Sequence, residues 1–326
     1  MLSDVVEYFG FTKELDHLGY FEPEGQKNLF KELNYVIRQG RLIALSGMVG
    51  SGKTTTLQSL ISHLRFSKDV MVSCSLAVDK NRVNLGTLMT ALFYDLSTEK
   101  DLKLPTQPEQ RERKLLALIQ KCRKPVVLIV DDAHNLHPQT LVGLKSLIEL
   151  VRHNQDKLSV LLAGHPKLKN DLRRPTLEEI GARAKVFSLE GIRGHQKEYI
   201  EWILQQASES ERPVTDFLTE SAYQFLADSL VTPLQIEQYL SLAFEAAYRV
   251  GTKPVTKEIL QGVLAQGLDD LEPRLIRQGY NVKVLSELLN LPSRQVRSFL
   301  SGQLPPGLTQ DLREQMLKLG IPLLAS

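Results

Sequence analysis

Apolar residues in this chain come in two kinds of run. The first kind is short and mostly apolar, at residues 42–46, 70–75, 126–130, 158–163 and 185–189. Runs of this length predict strands, and the unbroken apolar run 126–130 predicts one buried on both faces. The second kind is spaced at three and four residues. Residues 26–39 place Leu29, Leu33, Val36 and Ile37 on one face of a helix, and similar patterns lie between the strand candidates. This alternation predicts an α/β fold, a parallel sheet with helices on both faces. Beyond it the strand-like runs stop. Residues 195–265 read as helices only, with breaks at Pro213, Pro233 and Pro254. A small further unit begins around Glu272-Pro273. Leu304-Pro305-Pro306-Gly307 ends it, and a short helix follows. Residues 1–25 form a lead-in with aromatic anchors at Tyr8, Phe9, Phe11, Tyr20 and Phe21.

The turn after the first strand candidate carries chemistry. Gly47-Met48-Val49-Gly50-Ser51-Gly52-Lys53-Thr54 is a complete G-x-x-x-x-G-K-[ST] phosphate loop. A short apolar run precedes it, and Thr55-Thr56-Leu57 continues as a helix. Strand, loop and helix N-terminus together present backbone N–H groups to an anion. Gly47, Gly50 and Gly52 let the main chain approach a phosphate, with Val49, Ser51 and Thr55 completing the cradle. Lys53 is expected at the β/γ-phosphates and Thr54 at Mg²⁺. The third strand candidate ends in Asp131-Asp132. Ligands of open α/β sheets bind at that end of the strands. Asp131 is the expected second holder of Mg²⁺, and Asp132 stands where a base polarises the attacking water. Asp is one methylene shorter than the Glu more usual there, so slow or partner-stimulated turnover is expected. ATP and Mg²⁺ are the expected cofactors.

Composition narrows the class. The 326 residues are 42% hydrophobic and 24% charged, ordinary for a globular chain long enough for two or three domains. No apolar run approaches the ~20 residues of a membrane span. The N-terminal stretch lacks signal-peptide character. The two cysteines, Cys74 and Cys122, build no disulfide framework. A cytoplasmic protein with no membrane partner is expected. Formal charge is +2 but uneven. Residues 1–190 carry 27 basic and 22 acidic side chains, residues 191–268 carry 6 and 10, and residues 269–326 carry 7 and 6. The acidic middle is a poor nucleic-acid face, and the first segment a better one. His134 and His137 lack the neighbours of a zinc site.

Near the C-terminus, residues 282–289 have helical spacing, Asn290-Leu291-Pro292-Ser293 reads as a tight turn ending in a helix cap, and residues 294–300 form a second helix stopped by Gly302. This is helix-turn-helix spacing. Arg294 and Arg297, with Ser293, Gln295 and Ser298, are types that contact DNA phosphates and bases. Protein docking is the other use of such a helix pair.

These motifs give a family resemblance over about residues 8 to 265. The chain resembles AAA+ ATPases of the ExeA-like group, which borders transposition regulators of the TniB, TnsC, IstB and Mu B type. The resemblance rests on Tyr20-Phe21-Glu22-Pro23 with the following helix, where relatives cradle adenine, and on Leu161-Leu162-Ala163-Gly164-His165-Pro166-Lys167-Leu168. It implies that His165 is the sensor near the γ-phosphate. It implies that Arg183 is an arginine finger for a neighbouring subunit, with Arg173 and Arg174 as rivals. It also implies that the Lys80-Asn81-Arg82 loop tracks a DNA backbone, Lys80 and Arg82 neutralising phosphates. Leu234 stands where many relatives have a lid arginine, so the lid is expected to report nucleotide by packing.

The expected fold is therefore a P-loop AAA+ parallel sheet flanked by helices, then an all-helical lid and a small helix-turn-helix-like domain. Its segments are a 1–25 lead-in, a 26–190 nucleotide-binding core, a 191–268 lid and a 269–326 C-terminal domain. The expected function is that of an ATPase that assembles with itself, as ring or filament, on double-stranded DNA. It would present that DNA to a transposase or related recombination protein. The alternatives are an ExeA-like ATPase of an envelope or secretion complex, and a slow nucleotide switch in signalling.

Overall fold

The computed structural model describes all residues except 1–2, 16–17, 76–82, 98–103, 173–176, 182, 210–211, 266–270, 278, 322 and 324–326. Those described fall into two compact units. The sheet unit comprises residues 24–47 and 53–189. The helical unit comprises residues 1–23, 48–52 and 190–326.

The sheet unit contains five parallel strands: β1 (Leu42–Gly47), β2 (Met71–Cys74), β3 (Val126–Val130), β4 (Leu158–Gly164) and β5 (Lys185–Leu189). They are ordered β2-β3-β4-β1-β5. Every strand falls at one of the predicted runs, though β5, at the sheet edge, leaves Lys185 and Ser188 exposed. β1, β3 and β4 are buried at every position, as strands covered on both faces must be. Among the described residues the sheet unit also holds seven helices: α2 (Glu24–Ile37), α3 (Lys53–Ser67), α4 (Leu85–Leu96), α5 (Pro108–Cys122), α6 (Pro138–His153), α7 (Pro166–Leu172) and the single turn α8 (Glu178–Gly181), while α1 (Ser3–Phe9) belongs with the helical unit. Two separate apolar clusters cover the two faces of the sheet. One gathers Leu128, Val160 and Leu162 with Leu92, Phe93, Leu144 and Ile148. The other gathers Ile43, Leu45, Val127, Ile129 and Leu161 with Leu33, Ile37, Leu57 and Leu60. Alternate residues of one strand thus feed opposite cores, which is the two-residue period of a pleated strand.

The helical unit adds α9 (Gln196–Ala207), α10 (Glu220–Ser229), α11 (Pro233–Arg249), α12 (Lys257–Ala265), α13 (Leu271–Arg277), α14 (Val282–Leu289), α15 (Ser293–Leu300) and α16 (Pro306–Lys318). Pro233 opens α11 inside a capping box: Thr232 accepts from the Gln235 backbone, and the Gln235 side chain accepts from the Thr232 backbone. Pro306 likewise starts α16.

The helical unit draws together residues from the expected lead-in, lid and C-terminal segments. One apolar cluster runs through Phe9 and Phe11, through Ile236, Tyr239 and Phe244, and on to Tyr280, Leu285, Phe299 and Met316. The lid and the C-terminal domain therefore share one core. Phe11 stacks on Phe217 at 5.2 Å, and Phe9 meets Phe244 at 4.6 Å, so Phe9 and Phe11 of the lead-in are core residues of the helical unit. The reason is physical: spacing tells which face of a helix is buried but not what buries it.

Ser293, expected as a helix cap, is instead the first residue of α15, and its hydroxyl donates to Ser286 Oγ at 3.3 Å. The pair α14–α15 is held instead by Asn281, which caps α14 through the Val284 backbone at 3.0 Å, and by Asn290, whose left-handed backbone (φ 53) makes the turn.

Candidate nucleotide site

Three sequence signals, at residues 47–54, 131–132 and 165, converge because of strand order. β4 lies between β1 and β3, with Ser46 paired to Gly164 and Val130 paired close by to Leu162. All three strands are parallel and so end at one edge of the sheet. The lysine and threonine of the phosphate loop follow β1, Asp131 and Asp132 follow β3, and His165 follows β4. This is the edge at which open α/β sheets bind ligands.

Within the sheet unit the polar groups are already arranged. Thr54 Oγ1 donates to Asp131 Oδ2 at 2.9 Å, and Asp131 Oδ1 accepts from the Asp132 backbone N–H at 2.9 Å. Lys53 Nζ donates to the Gly47 carbonyl at 2.9 Å. Burial lowers the Lys53 pKa from its ordinary value, while the charges of Asp131 and Asp132 act to raise it. A burial penalty on a cation is relieved when an anion arrives, so an anion beside this lysine would be stabilising. Asp131 is half-buried and Asp132 exposed. Asp132 has a left-handed backbone (φ 55) that turns the chain sharply out of β3.

The donor set fits Mg²⁺ with a nucleotide. A hard, small cation needs few protein ligands, taking a hydroxyl and a carboxylate and filling its shell from phosphates and water. Thr54 and Asp131 are such a pair. Among the described residues no cluster of three His, Cys, Asp or Glu side chains offers an all-protein metal cage.

The loop itself shows the backbone its glycines permit. Gly50 and Gly52 have φ of 76° and 88°, values costly for other residues. Gly50 has a second constraint. A Cβ there would lie 2.5 Å from Leu234 Cβ, and the Leu234 N–H points at the Gly50 carbonyl. Leu234, expected to replace a lid arginine, thus packs on the loop tip. Ser51 is buried, with its N–H donated to the Met48 carbonyl at 3.2 Å.

His165 stands at the end of β4 as expected and is only 3% exposed. Its backbone N–H donates to His134 Nδ1 at 3.4 Å, and the two rings are 6.0 Å apart. Gly164 allows this approach, because a Cβ there would sit 3.0 Å from the His134 nitrogen. His134 is therefore a member of the site edge that sequence reasoning considered only as a metal ligand. His137 caps α6, accepting from the Gln139 backbone at 3.2 Å. Gln26, near the start of α2, is 8% exposed and its Oε1 has no hydrogen-bond partner among the described residues. Sequence pattern gave no signal for it.

Arg183 lies at the other edge. It precedes β5, whose Lys185 pairs with Ile43 near the start of β1. The phosphate loop begins at Gly47, ~13 Å further along at 3.3 Å per residue. Arg183 is ion-paired with Glu149 of α6. With Gln39, Arg41, Arg152 and Lys157 it lines an open basic cleft of about 680 Å³. The structure therefore separates Arg183 from the loop of its own chain. Arg294 and Arg297 are both exposed on α15, opposite the buried Val296, Phe299 and Leu300. Lys80 and Arg82, and the rival fingers Arg173 and Arg174, lie outside the described residues.

A five-stranded parallel sheet in the order β2-β3-β4-β1-β5, with a phosphate loop after β1 and an acidic pair after β3, is a P-loop AAA+ fold. Known proteins agree at this level. Residues 37–172 match the AAA domain family. The chain is 30% identical over 154 residues to General secretion pathway protein A of Aeromonas hydrophila, a match covering 46% of this chain and 27% of that protein. The chain thus spans about a quarter of that relative's length. Among solved structures it resembles the ORC2 protein of Aeropyrum pernix, in its ADPNP-ADP complexes, with a TM-score of 0.53 at 13% identity, covering 96% of this chain and 89% of that one. It also resembles Drosophila ORC bound to DNA, with a TM-score of 0.54 at 16% identity, covering 96% and 82%. Among the described residues, no helix is long and apolar enough to cross a membrane.

Proposed function

We propose that the chain is a Mg²⁺-dependent ATPase whose nucleotide state controls self-assembly on double-stranded DNA. In this reading it presents the DNA to a transposase or related recombination enzyme, and hydrolysis dissolves the assembly. The observation that carries the nucleotide half is Thr54 Oγ1 held 2.9 Å from Asp131 Oδ2, beside a lysine whose pKa burial has lowered. Lys53 would meet the β/γ-phosphates, with the amides of residues 49–55 around them. Thr54 and Asp131 would hold Mg²⁺, which neutralises charge on the phosphate oxygens. Asp132, exposed at the strand end, would orient the attacking water. His165 with His134 would sense the phosphate from the end of β4.

Separation of Arg183 from its own loop supports a role toward the nucleotide of a second copy. The DNA half is supported by the exposed Arg294 and Arg297 on a helix-turn-helix pair, and by the likeness in fold to an ORC assembly bound to DNA. A second reading has its own support. The identity to General secretion pathway protein A favours an ATPase serving an envelope or secretion complex without nucleic acid.

Duplex binding decides between them. The DNA reading expects binding that requires ATP and weakens steeply with salt as counterions are released. It also expects Arg294→Ala with Arg297→Ala to weaken binding across sequences, as loss of phosphate contacts would. Absence of duplex binding with ATP at low salt would leave the secretion reading.

A further inference from the structure

The tip of the phosphate loop is gripped by residues from far along the chain, all within the helical unit. Leu234, at the start of α11, packs on Gly50. Tyr280, between α13 and α14, reaches Met48 and Val49. Its residue is fully buried, and its hydroxyl lies 3.8 Å from Met48 Sδ and in hydrogen-bond contact with the Val49 backbone. The C-terminal turn passes close by: a Cβ at Gly320 would lie 4.0 Å from Met48 Cβ and 3.2 Å from Thr232 Cγ2. Buried Gln235 ties this turn down by donating to the Ile321 carbonyl at 3.2 Å while capping α11.

A buried tyrosine hydroxyl needs a polar partner. This one finds it on the phosphate loop. The next residue, Asn281, caps α14 through the Val284 backbone. α14 is in turn fastened to α15 where Ser286 meets both the Leu291 carbonyl and Ser293. α15 carries the exposed Arg294 and Arg297. One short run of contacts therefore joins the loop tip to the basic face of the helix pair.

We infer that Tyr280 is a positioning residue for the phosphate loop, and that through it the α14–α15 pair senses whether nucleotide is bound. The inference rests on the nucleotide reading above. A nucleotide that favours one backbone arrangement of residues 48–52 biases the seat of Tyr280, and hence the cap of α14. By thermodynamic linkage the effect is reciprocal. An anion or partner held by Arg294 and Arg297 changes nucleotide affinity by the same factor that nucleotide changes its own. Burial pushes the Tyr280 phenol well above the usual tyrosine range, so the contact stays a neutral hydrogen bond and is insensitive to pH near neutrality.

The test uses the full chain, wild type and Tyr280→Phe, with a fluorescent non-hydrolysable ATP analogue and Mg²⁺. Phe keeps the ring in the core and removes only the hydroxyl. Two results are expected. Tyr280→Phe binds the analogue three- to tenfold more weakly. In the wild type the analogue changes amide exchange across 281–289 at least threefold, a response that Tyr280→Phe loses. A residue with only a structural role would lower the unfolding midpoint and leave both readouts intact. Wild-type affinity in Tyr280→Phe, or exchange across 281–289 that ignores nucleotide, overturns the inference while leaving the nucleotide reading standing. A wild type that binds no analogue, or a Lys53→Ala chain that binds it as well as wild type, overturns the nucleotide reading itself.

Discussion

Gly50 gives the sharpest quantitative test of how the phosphate loop is held. Replacing it by alanine incurs two costs. The first is backbone strain: φ is 76°, where a side chain costs about 1–2 kcal/mol. The second is steric, since the new Cβ would lie 2.5 Å from Leu234 Cβ, 3.0 Å from Cδ2 and 3.2 Å from Cγ. Forcing a methyl into a filled site typically costs about 1–3 kcal/mol. Gly52→Ala is the internal control. Its φ is 88°, yet a Cβ there would meet nothing within 4 Å. Only the first cost applies to it. Thermal unfolding without nucleotide is the right assay, because no phosphate then competes for the space. At roughly 2–4 °C per kcal/mol, Gly50→Ala should lower the midpoint by about 4–20 °C and Gly52→Ala by about 2–8 °C, the difference being the Leu234 clash. Leu234→Ala removes the Cγ and Cδ2 contacts but leaves the closest one, so it should rescue Gly50→Ala only partly. Equal midpoints for the two glycine variants would refute the packing of Leu234 on the loop.

Further expectations concern chemistry. Lys53 has a lowered pKa, and anionic phosphate favours its charged form, so nucleotide affinity should be full below that pKa and fall as pH rises through it, short of the ordinary lysine value. Equilibrium titrations across alkaline pH would show the fall, and Lys53→Arg should remove it. Asp132→Asn should keep nucleotide affinity within about twofold and reduce phosphate release by 10²-fold or more, the scale of a lost general base; unchanged release would remove Asp132 from that role. Arg183→Ala should lower hydrolysis about 10³-fold or more if the guanidinium acts on a second copy's nucleotide, with oligomer size falling in parallel. Glu149→Gln removes an ion pair whose guanidinium partner is 64% exposed, worth about 0–1 kcal/mol. It should leave stability nearly unchanged and hydrolysis undiminished, because it frees Arg183; a loss of turnover equal to that of Arg183→Ala would make the pair a structural unit.

The sequence by itself determined the parts whose physics is local. Five mostly apolar runs became five strands; β1, β3 and β4 are buried at every position, because a strand covered on both faces has no polar side to show. The phosphate loop was legible because glycine, lysine and threonine at fixed spacing answer one demand, close backbone approach to an anion followed by a helix start. Tertiary structure alone decided what lies next to what. Strand order brought Asp131 and His165 to the edge where Lys53 begins α3, and set Arg183 at the other edge beside Glu149. Packing merged the lead-in, lid and C-terminal helices into one core. It also seated Leu234 and Tyr280 on the loop tip, 184 and 232 residues from Gly50 and Met48 respectively. Periodicity marks a face for burial but is silent about its partner, since any apolar surface of matching shape satisfies the same hydrophobic demand.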